Sequence, residues 1–491
     1  MQSLQIIKIK TFFTLCLMAL SSIAGSIANA APPPINIANV NDAESMQSSN
    51  DFFGFMVGIN RSSALLGDMW GLRKDLSRSG ISLAVEETSE VLGNLTGGTK
   101  KGFTYDGLTQ IVSQLDSQRA FGHYGGLINL SILNLHGTNL SIQNLQSLQS
   151  VSGIEGDNST RLWELWYGQK FLDEDRLDVR IGQQSIDQEF MVSSNALYFM
   201  NTMFGWPMLP SADMPSGGPA YPLSALGVRI NLRPVDGLNI LAGVFNGDPV
   251  KNNNGTDPQT QNRYGLNFPL NGGQLYIVEA QFSYPTLGSM VKPSQTQPLG
   301  WTYKIGAWYN TNSFLDMSVD QNGMSFANPM STQLPLKHKG NYAFYTIADQ
   351  IFWRNEYDPN QTISTFVRVM GTPLKDRNLV DGSLNVGLLM HSPFHNRPAD
   401  VLGIGLGYTH VSSAVAKLEI ETNIVEGLNT PIQSSENFIE LTYQYQVKPW
   451  VQVQTDIQYV FNPGAGLSVS DHSSSRIKDE LVLGMRTNIS F

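Results

Sequence analysis

Residues 481–491 alternate in character with a strict period of two. One side of the predicted strand is mostly apolar and ends on an aromatic residue: Leu481, Leu483, Met485, Ile489 and Phe491. The other side is small or polar: Val482, Gly484, Arg486, Asn488 and Ser490. Because successive side chains of a strand point to opposite faces, this pattern suits a wall between lipid and water. A soluble β-sandwich uses the same alternation, so this strand alone leaves both architectures open.

The first 30 residues have the pattern of an export signal. Two lysines, at positions 8 and 10, precede an apolar stretch at 12–23, and Ala28-Asn29-Ala30 offers a small-x-small cleavage site. The stretch is too short and wrongly flanked for a membrane anchor. We expect cleavage after Ala30, which also removes Cys16, the single cysteine of the chain. The mature protein is therefore predicted to lack disulfides and thiolate metal sites, and we expect no cofactor and no metal.

Charge and hydropathy narrow the class of protein. Removing residues 1–30 takes away two lysines and no acidic residue, so the net charge of −10 becomes −12. This balance argues against nucleic acid, whose phosphates require a basic surface. Charged residues are only 15% of the chain, yet the mature sequence has no apolar run of about 18 residues for a helical span. Since only helices and closed barrels satisfy their backbone in lipid, these features predict a β-barrel.

Sixteen segments have the pattern of membrane strands, and each has about the 9–11 residues that a tilted transmembrane strand requires. They span 81–92, 105–118, 126–136, 160–171, 176–184, 222–232, 237–246, 273–284, 300–310, 341–352, 361–371, 383–391, 400–411, 436–447, 451–461 and 480–491. The predicted fold is all-β, a 16-stranded antiparallel transmembrane β-barrel in the outer membrane of a bacterial cell.

The lengths of the connections support this count. With both termini in the periplasm, odd-to-even connections should be long external loops and even-to-odd connections short turns. Short links are predicted at 119–125, 172–175, 233–236, 353–360, 392–399 and 448–450. Long links are predicted at 137–159, 185–221, 247–272, 311–340, 412–435 and 462–479, and the inner turn at 285–299 is longer than expected.

The chain therefore divides into a signal peptide (1–30), an N-terminal periplasmic segment (31–80) and the barrel (81–491). Within the periplasmic segment, residues 68–80 predict one short helix. Asp68 would cap its start and Gly80 would end it. Met69, Leu72 and Leu76 would share one face of this helix.

The third external connection, residues 185–221, is too apolar for a solvated loop. Its large apolar residues are Phe190, Met191, Leu197, Tyr198, Phe199, Met200, Met203, Phe204, Trp206 and Met208. Exposing such a surface to water would be costly. We expect this loop to fold inward, pack against the barrel wall and constrict the pore. Packing over the mouth of the barrel or against a neighbouring subunit is the alternative.

The alternation also predicts which side chains face the lumen. On the fourth strand Trp163, Leu165 and Tyr167 are expected to face lipid, which turns the residues between them inward. The candidate pore-lining and substrate-binding residues are Arg180, Arg229, Arg368, Arg486, Glu164, Asp178, Glu279, Asp456, Trp166 and Trp308, with Lys304 also on an inward face. Guanidinium and carboxylate groups exchange hydrogen bonds with hydroxyls, and an indole covers the apolar face of a sugar. This set suits a neutral polyhydroxy solute, although opposed charges would equally set the transverse field of a general diffusion pore for small polar solutes.

Several segments resemble the carbohydrate-selective porin family (OprB-like). They lie at 67–73, 80–81, 164–171, 179–183, 449–450, 458–460, 463–464 and 484–487, and they include Glu-Leu-Trp-Tyr-Gly-Gln-Lys-Phe at 164–171. Gln454-Thr455-Asp456 departs slightly from the Gln-Pro-Asp of the family pattern. The resemblance implies a sixteen-stranded outer-membrane channel that passes monosaccharides such as glucose.

An outer-membrane enzyme is the alternative from another class. A lipase would need a serine and a histidine together on the barrel exterior. His391 and His395 lie in a predicted inner turn, where Pro393 excludes a regular helix carrying a metal pair. His410 lies near a strand end on the lipid side, and the sequence has no Gly-x-Ser-x-Gly element. We therefore predict a channel, not an enzyme.

The inward positions also bear on the solute and the partners. A channel for apolar substrates would need an apolar lumen, whereas these positions are rich in Gln, Asn, Arg and Glu. The expected partners are small sugars, outer-membrane lipids and the barrel-assembly machinery, which would engage the chain at Phe491. A homotrimer is one option for the assembly, and nucleic acid is not expected.

Overall fold

The computed structural model describes residues 64–250, 257–285, 298–470 and 473–491. Sixteen strands of these residues form one closed antiparallel barrel, in which consecutive strands pair and the first strand also pairs with the last. The strands are β1 (Ile81–Thr96), β2 (Gly102–Asp116), β3 (Gly126–Gly137), β4 (Ser159–Phe171), β5 (Leu177–Gln184), β6 (Ala225–Val235), β7 (Leu238–Asn246), β8 (Gln274–Tyr284), β9 (Trp301–Asp320), β10 (Pro335–Arg354), β11 (Thr362–Gly371), β12 (Val380–His391), β13 (Val401–Val411), β14 (Ser435–Lys448), β15 (Val451–Phe461) and β16 (Glu480–Ser490). Closure gives each strand two paired neighbours, as a barrel in lipid requires.

The sixteen predicted strands are confirmed. The largest difference between predicted and observed strand lengths is at β9 and β10. Both strands are 20 residues long and extend into the predicted loop at 311–340. Their ladder continues through the pair of Leu315 with Lys337 and the pair of Ser313 with Lys339. Polar residues lie on both faces of these two extensions. This pattern is typical of a loop, so the sequence alone predicted a loop there. The connection between the two strands is 321–334.

Short helices occupy several of the connections. In the described residues they are α1 (Leu72–Arg78), α2 (Ser117–Phe121), α3 (Thr202–Gly205), α4 (Met208–Asp213), α5 (Pro258–Gln261) and α6 (Ser413–Glu426). Helix α6 lies in the external connection expected at 412–435, for which no helix was predicted. Its sequence has two alanines and three glutamates between Ser412 and the C-capping Gly427, which favours a helix. None of the helices in the described part of the chain combines the length and apolar character needed to cross a membrane.

Helix α1 confirms the predicted helix before the barrel but begins later than expected. Its N-cap is Gly71, and the Asp68 side chain makes no capping hydrogen bond. Gly80, with φ +75°, follows its end as predicted. Arg73 donates to the carbonyl oxygen of Phe491, so this helix is attached to the end of β16. The predicted signal peptide and residues 31–63 lie outside the described residues.

The outer wall carries the features of a lipid-facing surface. Exposed apolar side chains alternate with buried inward ones along most strands. Exposed tyrosines form two bands, one near the external strand ends (Tyr105, Tyr276, Tyr309, Tyr459) and one near the periplasmic ends (Tyr167, Tyr284, Tyr303, Tyr445). Such aromatic girdles flank the apolar band of outer-membrane barrels.

A bulge in β4 changes the predicted orientation of Trp163. Glu164 pairs with Ser131 and Leu162 pairs with Ile132, so the register shifts at Trp163. Trp163 is therefore buried, in an apolar cluster with Leu108 and Leu133, and is only 1% exposed. The prediction that it faces lipid was wrong, because a bulge moves the alternation of faces by one residue.

Candidate functional site

The connection between β5 and β6, residues 185–224, crosses the interior of the barrel. The Met191 amide donates to Glu279 Oε2 on β8 at 2.9 Å, and the Ser193 hydroxyl donates to Asp349 Oδ1 on β10 at 2.6 Å. Farther along, the Met200 amide donates to Glu440 Oε1 on β14 at 2.6 Å. These carboxylates are buried on the faces opposite the exposed apolar side chains. A segment that starts at β5 and reaches β14 in this way lies across the lumen, and we call it the lumen loop.

Cationic and amide side chains hold the carbonyl groups of the lumen loop. Arg368 on β11 donates to the carbonyl oxygens of Met191, at 2.8 Å, and of Met203, Phe204 and Gly205. Lys304 Nζ on β9 donates to the carbonyl oxygen of Val192 at 2.7 Å, and Gln444 and Gln454 both donate to that of Tyr198. The wall thus satisfies these backbone carbonyl groups, which would otherwise be buried without a donor.

Apolar side chains of the lumen loop pack with the wall in a single core. The ring centroid of Phe204 lies 5.6 Å from that of Phe366 on β11 and 5.3 Å from that of Phe438 on β14. The inward positions 403, 405 and 407 of β13 are glycines, and a Cβ at Gly405 would lie 2.5 Å from the Phe204 ring. The run Gly-Ile-Gly-Leu-Gly in β13 therefore makes room for the phenyl rings of the loop. This run is visible in the sequence and could have indicated the contact.

Three of the predicted pore-lining residues are covered by this packing. Glu279 and Arg368 lie on inward faces, as expected, but both are 0% exposed beneath the lumen loop. Trp308 is 2% exposed and belongs to the apolar core. Their hydrogen bonds and apolar surfaces are used by the protein itself, so they anchor the loop.

The wall of β4 to β6 brings together five other predicted residues. Arg180 on β5 pairs directly with Arg229 on β6 across the ladder. Their like charges are compensated by Glu189 of the lumen loop, 2.7 Å from Arg180 Nη1 and in a bidentate contact with Arg229. Asp178 Oδ2 lies 3.2 Å from Arg229 Nη1 and 4.0 Å from Arg180 Nε. Glu189 was not predicted, because nothing in a loop sequence indicates where its side chain points.

The remaining two residues of this wall support the arginines. The Arg180 guanidinium carbon lies 4.2 Å from the Trp166 ring centroid, a cation–π geometry. Trp166 is 4% exposed, so the indole face predicted to cover a sugar is occupied by the guanidinium. Glu164 Oε1 accepts from the Ser185 amide at 3.0 Å. Asp178 and Arg180 keep accessible surface, with side chains 22% and 11% exposed, and Arg180 borders a small cavity that Gln184, Gln188 and Phe245 also line.

The wall formed by β14 to β16 and β1 carries mainly acidic inward side chains. Arg486 on β16 forms an ion pair with Glu90 on β1, and its side chain is 11% exposed. Asp456 Oδ1 accepts from Gln458 at 2.8 Å and is buried. Glu90 and Glu440 were not among the predicted residues, although the same alternation along β1 and β14 would have indicated them.

His391 touches the lumen loop, whereas His410 lies outside the lumen. The His391 ring lies 5.2 Å from that of Tyr198, and His410 Nδ1 lies 2.6 Å from Asp381 Oδ1. Another set, Asp316, His338 and Asp376, lies on the extensions of β9 and β10 and the neighbouring loop, with ligand-type atoms within 4.8 Å of one another. Arg377 already pairs with Asp376 at 2.9 Å, which makes this set an ion-pair network.

Comparison with known proteins decides the family. A family model described as "Carbohydrate-selective porin, OprB family" matches residues 100–491. This chain belongs to the carbohydrate-selective porin family. Porin B of Pseudomonas aeruginosa is 25% identical over 437 residues, which cover 85% of this chain and 91% of that protein. The high-pH structure of Pseudomonas putida OprB has a TM-score of 0.73 and 25% identity, covering 90% of this chain and 99% of that one.

Family and fold together give the location and the class of activity. A porin of sixteen strands is a protein of the bacterial outer membrane, and the family is one of porins, that is, of channels. The protein is thus a carbohydrate-selective outer-membrane porin, and the predicted fold and family are confirmed.

Proposed function

We propose that this porin passes monosaccharides such as glucose by diffusion, and that the lumen loop sets the width of the passage. The observation that carries the proposal is the attachment of this loop to β8, β10, β11, β14 and β15 by side-chain hydrogen bonds. A loop held on so many sides presents a constant opening, as discrimination by size requires.

The polar groups that remain accessible beside the loop support a neutral solute. Arg180 and Arg229 carry two positive charges, Asp178 and Glu189 carry two negative ones, and each arginine lies within 4.0 Å of both carboxylates. The balanced set gives little net attraction to an ion of either sign. Its accessible donors and acceptors can still exchange hydrogen bonds with the hydroxyls of a sugar. We assign the selective contacts to Arg180 and Asp178, with Arg486 on the wall of β14 to β16 and β1.

Liposome swelling tests this proposal. We expect faster swelling in glucose than in a zwitterion of equal size. Arg180→Met should reduce that difference severalfold, whereas Arg233→Met, on β6 toward its periplasmic end, should leave it unchanged. Equal rates for all small polar solutes in the wild-type protein would contradict sugar selectivity and favour a general diffusion pore.

Other parts of the proposal concern processing and partners. We propose cleavage after Ala30 and a periplasmic location for residues 31–80. We also propose that the barrel contacts outer-membrane lipids and that the barrel-assembly machinery recognises Phe491. A homotrimer is one option for the assembly. Mass spectrometry of the protein purified from outer membranes tests the first point, since the mature chain should begin at Ala31.

A further inference from the structure

The external end of β16, where the last strand meets β1, holds a buried carboxylate without a hydrogen-bond donor. Glu480 is the first residue of β16 and is 0% exposed. Among the described residues, neither oxygen of its side chain has a hydrogen-bond partner. A buried carboxylate is costly unless it accepts hydrogen bonds, gains a proton or binds a cation. Glu480 is therefore left with two alternatives, a proton or a bound cation.

Another buried carboxylate at the external side of the barrel shows the contrast. Asp320, the last residue of β9, is also 0% exposed. Its Oδ1 accepts from the amides of Asn322 and Met324, each at 2.9 Å. Its Oδ2 accepts from the amide of Thr332 at 2.8 Å and from the hydroxyl groups of Ser331 and Thr332. Asp320 thus organises its own loop, whereas the chain offers no such donors to the carboxylate of β16.

The surroundings of Glu480 are rich in oxygen atoms and negative charge. The carboxylates of Glu436 and Asp479 lie close enough to repel it. Asn94 on β1 is 1% exposed, and its side-chain oxygen Oδ1 also lacks a hydrogen-bond partner among the described residues. A Cβ added at Gly98 would lie 3.2 Å from Glu480 Oε1 and 2.7 Å from Asn94 Nδ2. The two side chains with unpartnered oxygens are therefore adjacent.

Three external connections meet at this point. In the turn between β1 and β2, the Gly98 amide donates to the carbonyl oxygen of Lys478, which precedes β16, at 3.2 Å. The amide of Thr99 donates to the carbonyl oxygen of Asn144, in the connection between β3 and β4, at 2.9 Å. A ligand bound at Glu480 therefore holds the ends of the first and last strands together where these connections join.

We propose that a Ca²⁺ ion binds between Glu480 and Asn94. One proton satisfies a single pair of the three unpartnered oxygens, whereas a cation contacts all three. Ca²⁺ prefers oxygen ligands, accepts a bidentate carboxylate and tolerates irregular geometry, and water completes its shell. Asn94 Nδ2 donates to the carbonyl oxygens of Gly97 and Lys100, which leaves Oδ1 for the metal. No metal was expected from the sequence, because the two ligands lie at opposite ends of the barrel sequence.

Thermal unfolding of the protein, refolded in detergent without lipopolysaccharide, tests the site. We expect CaCl₂ at about 10 mM, well above the Kd of about 0.1–1 mM that is typical of extracellular calcium modules, to raise the melting temperature by about 2 °C or more relative to EDTA. MgCl₂ should raise it less, because Mg²⁺ demands near-ideal octahedral geometry. Glu480→Gln should abolish the calcium-dependent shift. Equal melting temperatures of the wild-type protein in CaCl₂ and EDTA would overturn the proposal, since a protonated Glu480 needs no metal.

Isothermal titration with CaCl₂ gives a second, independent measurement. Glu480→Gln should weaken binding by about tenfold or more, because the charge of the ligands sets the affinity for Ca²⁺, and Asn94→Ala should weaken it severalfold. Asp320→Asn is the matched control: it also removes a buried external carboxylate and should lower the melting temperature, but calcium binding should stay unchanged. Heat-modifiable migration on gels shows that the variants fold. Wild-type affinity in Glu480→Gln would contradict the proposal, and because the site lies outside the lumen loop, that result would leave the proposed function standing.

Discussion

The two sides of the lumen use the same kinds of residue for different purposes. On the wall of β8 to β11, Arg368 is fully buried and donates to carbonyl groups of the lumen loop. On the wall of β4 to β6, Arg180 stacks on Trp166, pairs with carboxylates and keeps accessible surface. An arginine on an inward face can therefore anchor the loop, as Arg368 does, or stay accessible for the solute contact that we propose for Arg180, and burial beneath the loop distinguishes the two.

The largest effect is expected from removing the loop that both walls hold. Shortening residues 190–208 should raise single-channel conductance severalfold and abolish discrimination between sugars and zwitterions of equal size, because the passage would be bounded by the wall alone. Planar-bilayer recordings of the refolded protein measure this. An unchanged conductance in a properly folded variant would show that the loop does not narrow the channel.

Replacing the anchor should have the next largest effect. Arg368→Met leaves buried carbonyl groups of the lumen loop without donors and is expected to lower the free energy of unfolding by about 3 kcal/mol. Conductance should also rise and become noisier as the loop detaches. Arg377→Met is the control, since Arg377 also donates to a carbonyl, that of Gly340 at 2.9 Å, but outside the lumen. Equal stability of the two variants would contradict an anchoring role.

Replacing the accessible Arg180 tests the other half of the comparison between the two walls. Arg180→Met is expected to change stability by less than Arg368→Met, because Glu189 keeps its bidentate contact with Arg229. Its main consequence should be a changed ion selectivity, since loss of one positive charge leaves the site anionic. Reversal potentials in a salt gradient measure this shift toward cations. A variant with unaltered reversal potential would show that Arg180 lies off the path.

A smaller effect concerns the end of the lumen loop. Asp213 Oδ1 accepts from the amides of Leu379 and Val380, and burial raises the pKa of this carboxyl well above its usual range. Its protonated form is favoured in the fold, so its contribution to stability is present at acidic pH and is lost as pH rises through the raised pKa. Asp213→Asn should flatten the decline of melting temperature from acidic to neutral pH. Parallel pH profiles of variant and wild type would argue against this linkage.

Much of the barrel could be predicted because the residue pattern of each strand identifies it without reference to its neighbours. The alternation along each strand identified all sixteen strands and the inward faces of Arg180, Glu279 and Arg368. It failed at Trp163, where a bulge depends on the pairing with β3, and at the extensions of β9 and β10, whose polar pattern suits a loop.

What the sequence by itself determined is therefore the wall: its strand number, its two faces and its class, the outer-membrane barrels. Those properties follow from periodicity and composition, which each segment carries without its neighbours. Only the tertiary structure decided which inward charges anchor the lumen loop and which stay accessible, and that Glu189 meets Arg180 and Arg229. These contacts join residues far apart in the chain, so they depend on closure of the barrel and on the path of one loop through it.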